Sequence, residues 1–284
     1  MNPVEIMENR NMKVALFGTC RLRSIRQHFS CTDFDEAISY VHSTKEIIQL
    51  IKYITKQIEI PASVSQFCFR RGILNRQPVA YSDEFSKQFN EADLFVIEIC
   101  AMKKYLFQGH YLHHLAVDRR LHYYKDTTRQ VLENTVVQYQ DRQEIEKDIS
   151  EIIDLVHPRK ILLVSHINAT IETSEQHPSP RRVNNIIAGM ARRARSLVRP
   201  ALPEDQAAPQ IAAIGKRTEL ILMLRDIAQE KSLAFFDPTV VLSQYDQNRV
   251  LVSESPGQPP GHYTGFGDRV MGPLYADEIR RIME

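Results

Sequence analysis

The sequence predicts an α/β fold in which helices cover both faces of a parallel sheet, and three observations carry the prediction. Short, mostly apolar runs recur at "KVALFG" (13–18), "LFVIEI" (94–99) and "KILLVSHINAT" (160–170). Each lacks the in–out alternation of a half-exposed strand, so each reads as a strand buried on both sides. Segments with helical periodicity separate them, and strands alternating with helices at this spacing form parallel sheets. The chain of 284 residues, 43% hydrophobic, has apolar content enough for a proper core without staples.

Taken in order, the first run ends at Gly18, where a buried strand feeds a turn, and "RLRSIRQHF" after it reads as helical. In "AISYVHSTKEIIQLIKYIT", Ser43 or Thr44 caps a helix, Glu46 stands near capping-box spacing, and Ile47, Ile48, Leu50, Ile51 and Ile54 form its apolar face. "SVSQFCFRRGI" reads as either a short strand or a loop. Leu94 to Ile99 is apolar throughout except for Glu98. From about 117 to 156 the chain is polar and helix-rich, as in an insertion packed beside the core. After the third strand, "TSEQHPSPRR" reads as a loop, "VNNIIAGMARRARSLV" as a helix and "RPALPEDQAAP" as a proline-rich surface loop. "GKRTELILMLRDIAQEKS" is again helical, "LAFFDP" a strand closed by Asp237 and Pro238, and "GHYTGFGDRVMGPLYADEIRRIM" a turn entering a terminal helix.

Composition bounds the function. With 36 Lys and Arg against 35 Asp and Glu the formal net charge is +1, which argues against a surface adapted to nucleic acid. The four cysteines, Cys20, Cys31, Cys68 and Cys100, form no C-x-x-C pair, so neither a zinc knuckle nor a secreted disulfide scaffold is expected, and a reducing cytoplasmic setting fits. The first residues lack the pattern of a secretion signal, and no stretch approaches the roughly 18 apolar residues of a membrane span.

In parallel sheets ligands gather at the carboxyl ends of strands. Three such ends are chemically loaded: Gly18-Thr19-Cys20, Cys100 with Lys103 and Lys104, and Ser165-His166 with Asn168; the last turn adds His262 and Thr264. A thiol after a strand and at a helix start is held toward the thiolate by unpaired amides and the helix dipole, and serves as a nucleophile once a base and an oxyanion site converge on it. The same Gly-x-Cys turn also suits a cysteine that merely packs.

"FGTCRLRSI" and "GHYTGFGDRVMGPLYADEI" resemble the first and last blocks of the SGNH (GDSL-like) hydrolase superfamily, and most nearly its bacterial G-S-C-type subgroup, met among polysaccharide-biosynthesis proteins and acyltransferases. The resemblance implies a single three-layer α/β/α sandwich over 1–284, flavodoxin-like, with the 117–156 segment as a helical insertion. It places Cys20 as nucleophile, His262 as base and Gly18 at the turn. The family's acid normally stands three residues before the histidine, where this chain has Pro259, so Asp237, Asp246 or Glu254 would have to approach in space; Asp237 is the choice. The family's oxyanion asparagine is also missing after "VIEI", which leaves Asn168, or the amides of Cys20 and Arg21, with Arg21 and Thr264 as further substrate contacts.

The expected function is an acyl-group enzyme, an acyltransferase or esterase acting on a carbohydrate or polysaccharide precursor. Its partner is the glycan substrate, and no cofactor is called for beyond an acyl donor such as acetyl-coenzyme A. The rival reading is a non-catalytic glycan- or partner-binding module of the same fold. A weaker one is a phosphorylated nucleotide bound beside Arg21. His110, His113 and His114 offer two imidazoles to one helix face, but no nearby carboxylate completes a metal motif, and no metal is assigned. Arg23, Arg70 and Arg71 read as anion contacts or surface charge, His42-Ser43-Thr44 as a helix cap, and Arg192, Arg193, Arg195 and Arg199 as a solvated stripe.

Overall fold

Five parallel strands make the central sheet: β1 (Lys13–Phe17), β2 (Ser30–Cys31), β3 (Leu94–Ile99), β4 (Lys160–Ser165) and β5 (Ala234–Phe236), in the order β2-β1-β3-β4-β5. They belong to a computed structural model that describes residues 12–32, 36–117, 126–168, 204–253 and 260–284. This order is the flavodoxin-like one, and its topological switch point lies between β1 and β3. The three-layer α/β sandwich expected from the sequence is therefore the fold.

Side chains alternate across the strands and fill two separate cores. Ala15, Phe17, Phe95, Ile97, Ile99, Ile161 and Leu163 face a layer that includes helix α1 (Thr44–Ile54), α2 (Arg142–Val156) and the carboxyl half of α3 (Glu204–Glu230). Val14, Leu16, Leu94, Val96, Leu162 and Val164 face the 3-10 helix Cys20–Gln27 and the terminal helix α4 (Gly265–Met283). Burial on both sides explains why β3 reads as an unbroken apolar run. Glu98 shares the face of Val96, directly beneath the turn after β1.

Several local expectations are corrected. The segment after β1 is helical but of the 3-10 type, and "SVSQFCFRRGI" folds as two short helices, Ala62–Cys68 and Arg70–Asn75. Lys103 and Lys104 lie on a strand, Lys103–Phe107, which forms a small antiparallel sheet with His110–Tyr111 and Val136–Tyr139. Within 117–156, α2 buries Ile145, Ile149, Ile152 and Val156 in the main core and packs on α1. "RPALPEDQAAP" is read as a loop, yet α3 begins at Glu204, where Glu, Gln and Ala outweigh the proline signal. The loop and helix expected over 171–199, with the Arg192–Arg199 stripe, lie outside the described residues.

Candidate active site

The turn after β1 is shaped by what it must clear. A Cβ at Gly18 would stand 2.6 Å from Glu98 Cβ and 2.9 Å from Leu22 Cδ1, so only glycine lets the chain pass this close to β3. Thr19 then caps the 3-10 helix, its hydroxyl accepting from the Arg21 amide. Cys20, half-buried, is the first residue of that helix and stands at the switch point between β1 and β3.

Glu98 organises the turn from below. Fully buried, it accepts from the Thr19 amide (2.8 Å), the Thr19 hydroxyl (2.6 Å) and Arg21 Nε (2.6 Å). A buried carboxylate left alone would cost several kcal/mol, and here the guanidinium and the two Thr19 donors compensate it. Burial opposes the charge of Arg21, but Glu98 outweighs it and holds the guanidinium well above its usual range. Arg21 also donates to Cys100 Sγ (3.0 Å) and to the Gly261 carbonyl. It is therefore a buried strut between strand ends, not the anion contact that its place in the motif implies.

Gly261 immediately precedes His262, so the strut joins the two halves of the site. A two-stranded ladder, Leu251–Val252 against His262–Tyr263, holds the histidine, and the Gly261 amide donates to the Val252 carbonyl (3.2 Å). Arg217 on α3 donates to the Pro260 carbonyl (3.1 Å), and its own basicity is lowered to about 10, first by burial and then by Arg21. Beyond His262, a Cβ at Gly267 would stand 2.3 Å from the Val250 carbonyl oxygen, which keeps α4 tight against the ladder. The result is that Cys20 Sγ lies 3.2 Å from His262 Nδ1, across 242 residues of chain.

The other sequence candidates have different duties. Asp237 caps the helix Pro238–Leu242 through the Thr239 amide (2.9 Å), accepts from the Ser165 hydroxyl (3.3 Å) and pairs with Arg225 (2.7 Å). Its carboxylate is built into that corner by these three partners. Asp246 caps Gln247–Val250, and Glu254 and Pro259 lie outside the described residues. Asn168 turns its side-chain amide to Thr218 Oγ1 (2.7 Å) and the Ile214 carbonyl (3.3 Å) on α3, away from an oxyanion role. Thr264 caps α4, accepting from the Gly267 amide (3.1 Å) and donating to the Arg249 carbonyl (2.6 Å). Gly18 donates its amide to the Ser39 carbonyl (3.0 Å) and so contributes shape, not an oxyanion donor.

Burial separates the thiols. It pushes Cys68 up to about 12, and together with Glu98 it holds Cys100 well above the ordinary thiol range. Neither is poised as a thiolate. Tyr40 completes the surroundings of Cys20: its hydroxyl donates to Sγ at 3.9 Å, and Arg70 lies over its ring at 4.4 Å. The cleft that opens on Cys20 is rimmed by Tyr40, Arg23, Arg26 and Arg70. Glu98, Arg217 and Tyr40 were not legible as site residues. A lone carboxylate inside an apolar strand is the one signal that could have pointed to Glu98.

Comparison with known proteins gives a consistent family and a partial overlap. The model of the TviD N-terminal domain matches residues 12–124 and 120–198. The Vi polysaccharide biosynthesis protein TviD of Salmonella typhi is 22% identical over 318 aligned positions, covering 97% of this chain and 33% of that protein. The chain thus spans about a third of the length of that relative. Among solved structures, the inhibitor-bound M. smegmatis aryl esterase matches at 13% identity with a TM-score of 0.40, covering 95% of this chain and 99% of that one. A carbohydrate acetylesterase family member from Sinorhizobium meliloti matches at 12% and 0.38, covering 95% and 98%. The fold assignment rests on the strand order rather than on these scores.

Proposed function

This chain belongs to the TviD N-terminal domain family, and from that membership and the site geometry we propose that it is an acyl-group enzyme that works on a carbohydrate through Cys20 and His262. The observation that carries the proposal is the 3.2 Å approach of Sγ to Nδ1 at the switch point of a parallel sheet. The two blocks could have folded apart, and a packing cysteine needs no imidazole.

The chemistry follows from the residues in place. His262 removes the thiol proton, and the thiolate attacks the acyl carbonyl carbon of the donor, such as acetyl-coenzyme A. The tetrahedral intermediate collapses as the bond to the leaving group breaks, and the leaving group takes the proton from the imidazolium. A sugar hydroxyl then gives its proton to His262 while its oxygen attacks the thioester, releasing the glycan ester and the thiolate. The Cys20 amide at the start of the 3-10 helix is the oxyanion donor this scheme assigns, and Arg23, Arg26 and Arg70 suit an anionic donor or acceptor. A cysteine–histidine pair needs an orienting carboxylate less than a serine–histidine pair does, because the thiol ionises far more readily. Arg21 and Arg217, gripping the two carbonyls before His262, take over the positioning.

Cys20→Ala is expected to lower acyl transfer from acetyl-coenzyme A to a polysaccharide acceptor by at least about a thousandfold with the melting temperature unchanged. Intact-mass analysis of the wild-type protein is expected to show an acyl adduct on Cys20. Full turnover by the variant overturns the proposal. An inert thiol combined with tight glycan binding would establish the binding module instead.

A further inference from the structure

Behind Tyr40 lies a second cluster that the acyl chemistry does not use. His42, His113 and His114 come together from two distant segments, and one ring nitrogen from each lies within 4.8 Å of the others. Their ring centroids stand 4.1 Å (His42–His114), 4.4 Å (His113–His114) and 5.1 Å (His42–His113) apart. The grouping differs from the one the sequence offers: His110 sits on the small antiparallel sheet outside it, and His42, from the cap of α1, takes its place.

Three polar atoms here lack hydrogen-bond partners among the described residues: His42 Nδ1, His113 Nε2 and Glu46 Oε2, all buried. Buried polar atoms in folded proteins are nearly always paired, so three together in one place call for a polar partner, and a bound ion would serve all of them. We propose that His42, His113 and His114 bind one divalent transition-metal ion, zinc being the ion of choice for neutral imidazoles, with Glu46 as the carboxylate beside it.

The rings must turn about the ion: they pack edge to face or tilted now, and coordination brings their nitrogens together while the ring bodies swing apart. Around a tetrahedral zinc with Zn–N near 2.0–2.1 Å, ligand nitrogens stand about 3.3 Å apart, so no pair has to close by more than about 1.5 Å. Glu46 Oε2 stands 3.9 Å from His42 Nδ1, close enough to balance the ion's charge and orient that ring, while Glu46 Oε1 is fixed by the Ser43 hydroxyl at 3.0 Å. His113 Nδ1 accepts from the Leu115 amide at 3.2 Å, so without an ion the ring proton sits on Nε2, the nitrogen that would have to bind the metal. Coordination moves the ring proton to Nδ1, at the expense of that one long hydrogen bond. His42 and His114 are partly exposed, while His113 is buried. The His42 carbonyl accepts from the amides of Cys100 and Ala101 (2.8 and 3.0 Å), so the ion would pin the end of β3, the loop bearing Tyr40 and the 113–114 turn to one another beside Cys20. The proposal stands whether or not Cys20 is a nucleophile.

The test is metal binding by the whole chain. After chelation and dialysis, wild-type protein is expected to take up one equivalent of zinc(II). His42→Gln and His113→Gln are each expected to bind at least a hundredfold more weakly, with circular dichroism confirming the fold. His110→Gln and Cys20→Ala are expected to keep the equivalent, the latter excluding a site made by the thiol and His262. Cobalt(II) is expected to give tetrahedral ligand-field bands without a thiolate charge-transfer band. Failure to take up stoichiometric zinc, equal affinity in His113→Gln, or a thiolate band that vanishes in Cys20→Ala would each overturn the site. If His113→Gln fails to fold, His114→Gln gives the same reading.

Discussion

Two buried polar regions flank Cys20, and they are built on opposite terms. Beneath it, Glu98, Thr19, Arg21 and Gly261 form a network in which the Glu98 carboxylate accepts three hydrogen bonds and Arg21 donates to three groups. Beside it, His42, His113 and Glu46 carry polar atoms with no hydrogen-bond partner among the described residues. A satisfied network holds geometry, because removing either Glu98 or Arg21 strands the other's buried charge. An unsatisfied one holds nothing by itself and is explained by what it binds. The contrast assigns positioning to the first region and a ligand to the second.

The largest expected effect breaks the first region. Arg21→Met strands the Glu98 carboxylate in the core and should destabilise the fold by about 3–5 kcal/mol, read from urea denaturation, because breaking a buried pair leaves an uncompensated charge. A loss below about 1 kcal/mol would mean that the strut is dispensable and that His262 is held by its ladder alone. Next comes Gly18→Ala, whose Cβ would overlap Glu98 and force the turn off β3; overpacking of this kind costs about 1–3 kcal/mol. It should also cut acyl transfer more than it cuts stability, since Cys20 lies two residues on. The smallest effect is predicted for the second region: His113→Leu in metal-free buffer should change stability by no more than about 1 kcal/mol, because it removes a buried nitrogen that has no hydrogen-bond partner among the described residues, while the Leu side chain fills the space of the ring and only the bond from Leu115 and the ring contacts are lost. A loss like that of Arg21→Met would place the histidines among the structural networks. These last three substitutions, read together, separate a strut from a ligand set.

Much of this was legible in the chain. The three apolar runs are three of the five sheet strands, and Ser43 caps α1 with Glu46 in the expected box, because strand burial and helix capping depend on residues near one another in sequence. The two-residue strand β2 carries no periodicity to read, and the paired helices at 62–75 are too short to show a 3.6-residue repeat. Polar duties were the harder part. Asp237, Asn168 and Thr264 are types that serve catalysis and helix capping equally well, and only their partners separate the two. A family pattern is read along the chain, so it could name Cys20 and His262 but not Arg217, whose role depends on where α3 passes the loop before His262.

The amino-acid sequence by itself determined the layered α/β architecture and the turn at Gly18, and the resemblance of its first and last blocks to the SGNH superfamily implied the pairing of Cys20 with His262. The first two follow from local patterning, and the third from a likeness carried by two short blocks. The tertiary structure decided which carboxylate supports the site and which histidines cluster. Glu98 reaches Arg21 across 77 residues, and His42 meets His113 across an intervening strand and sheet. Contacts of that span are set by the register of β1 on β3 and by the packing of helices over them, which no window of sequence contains.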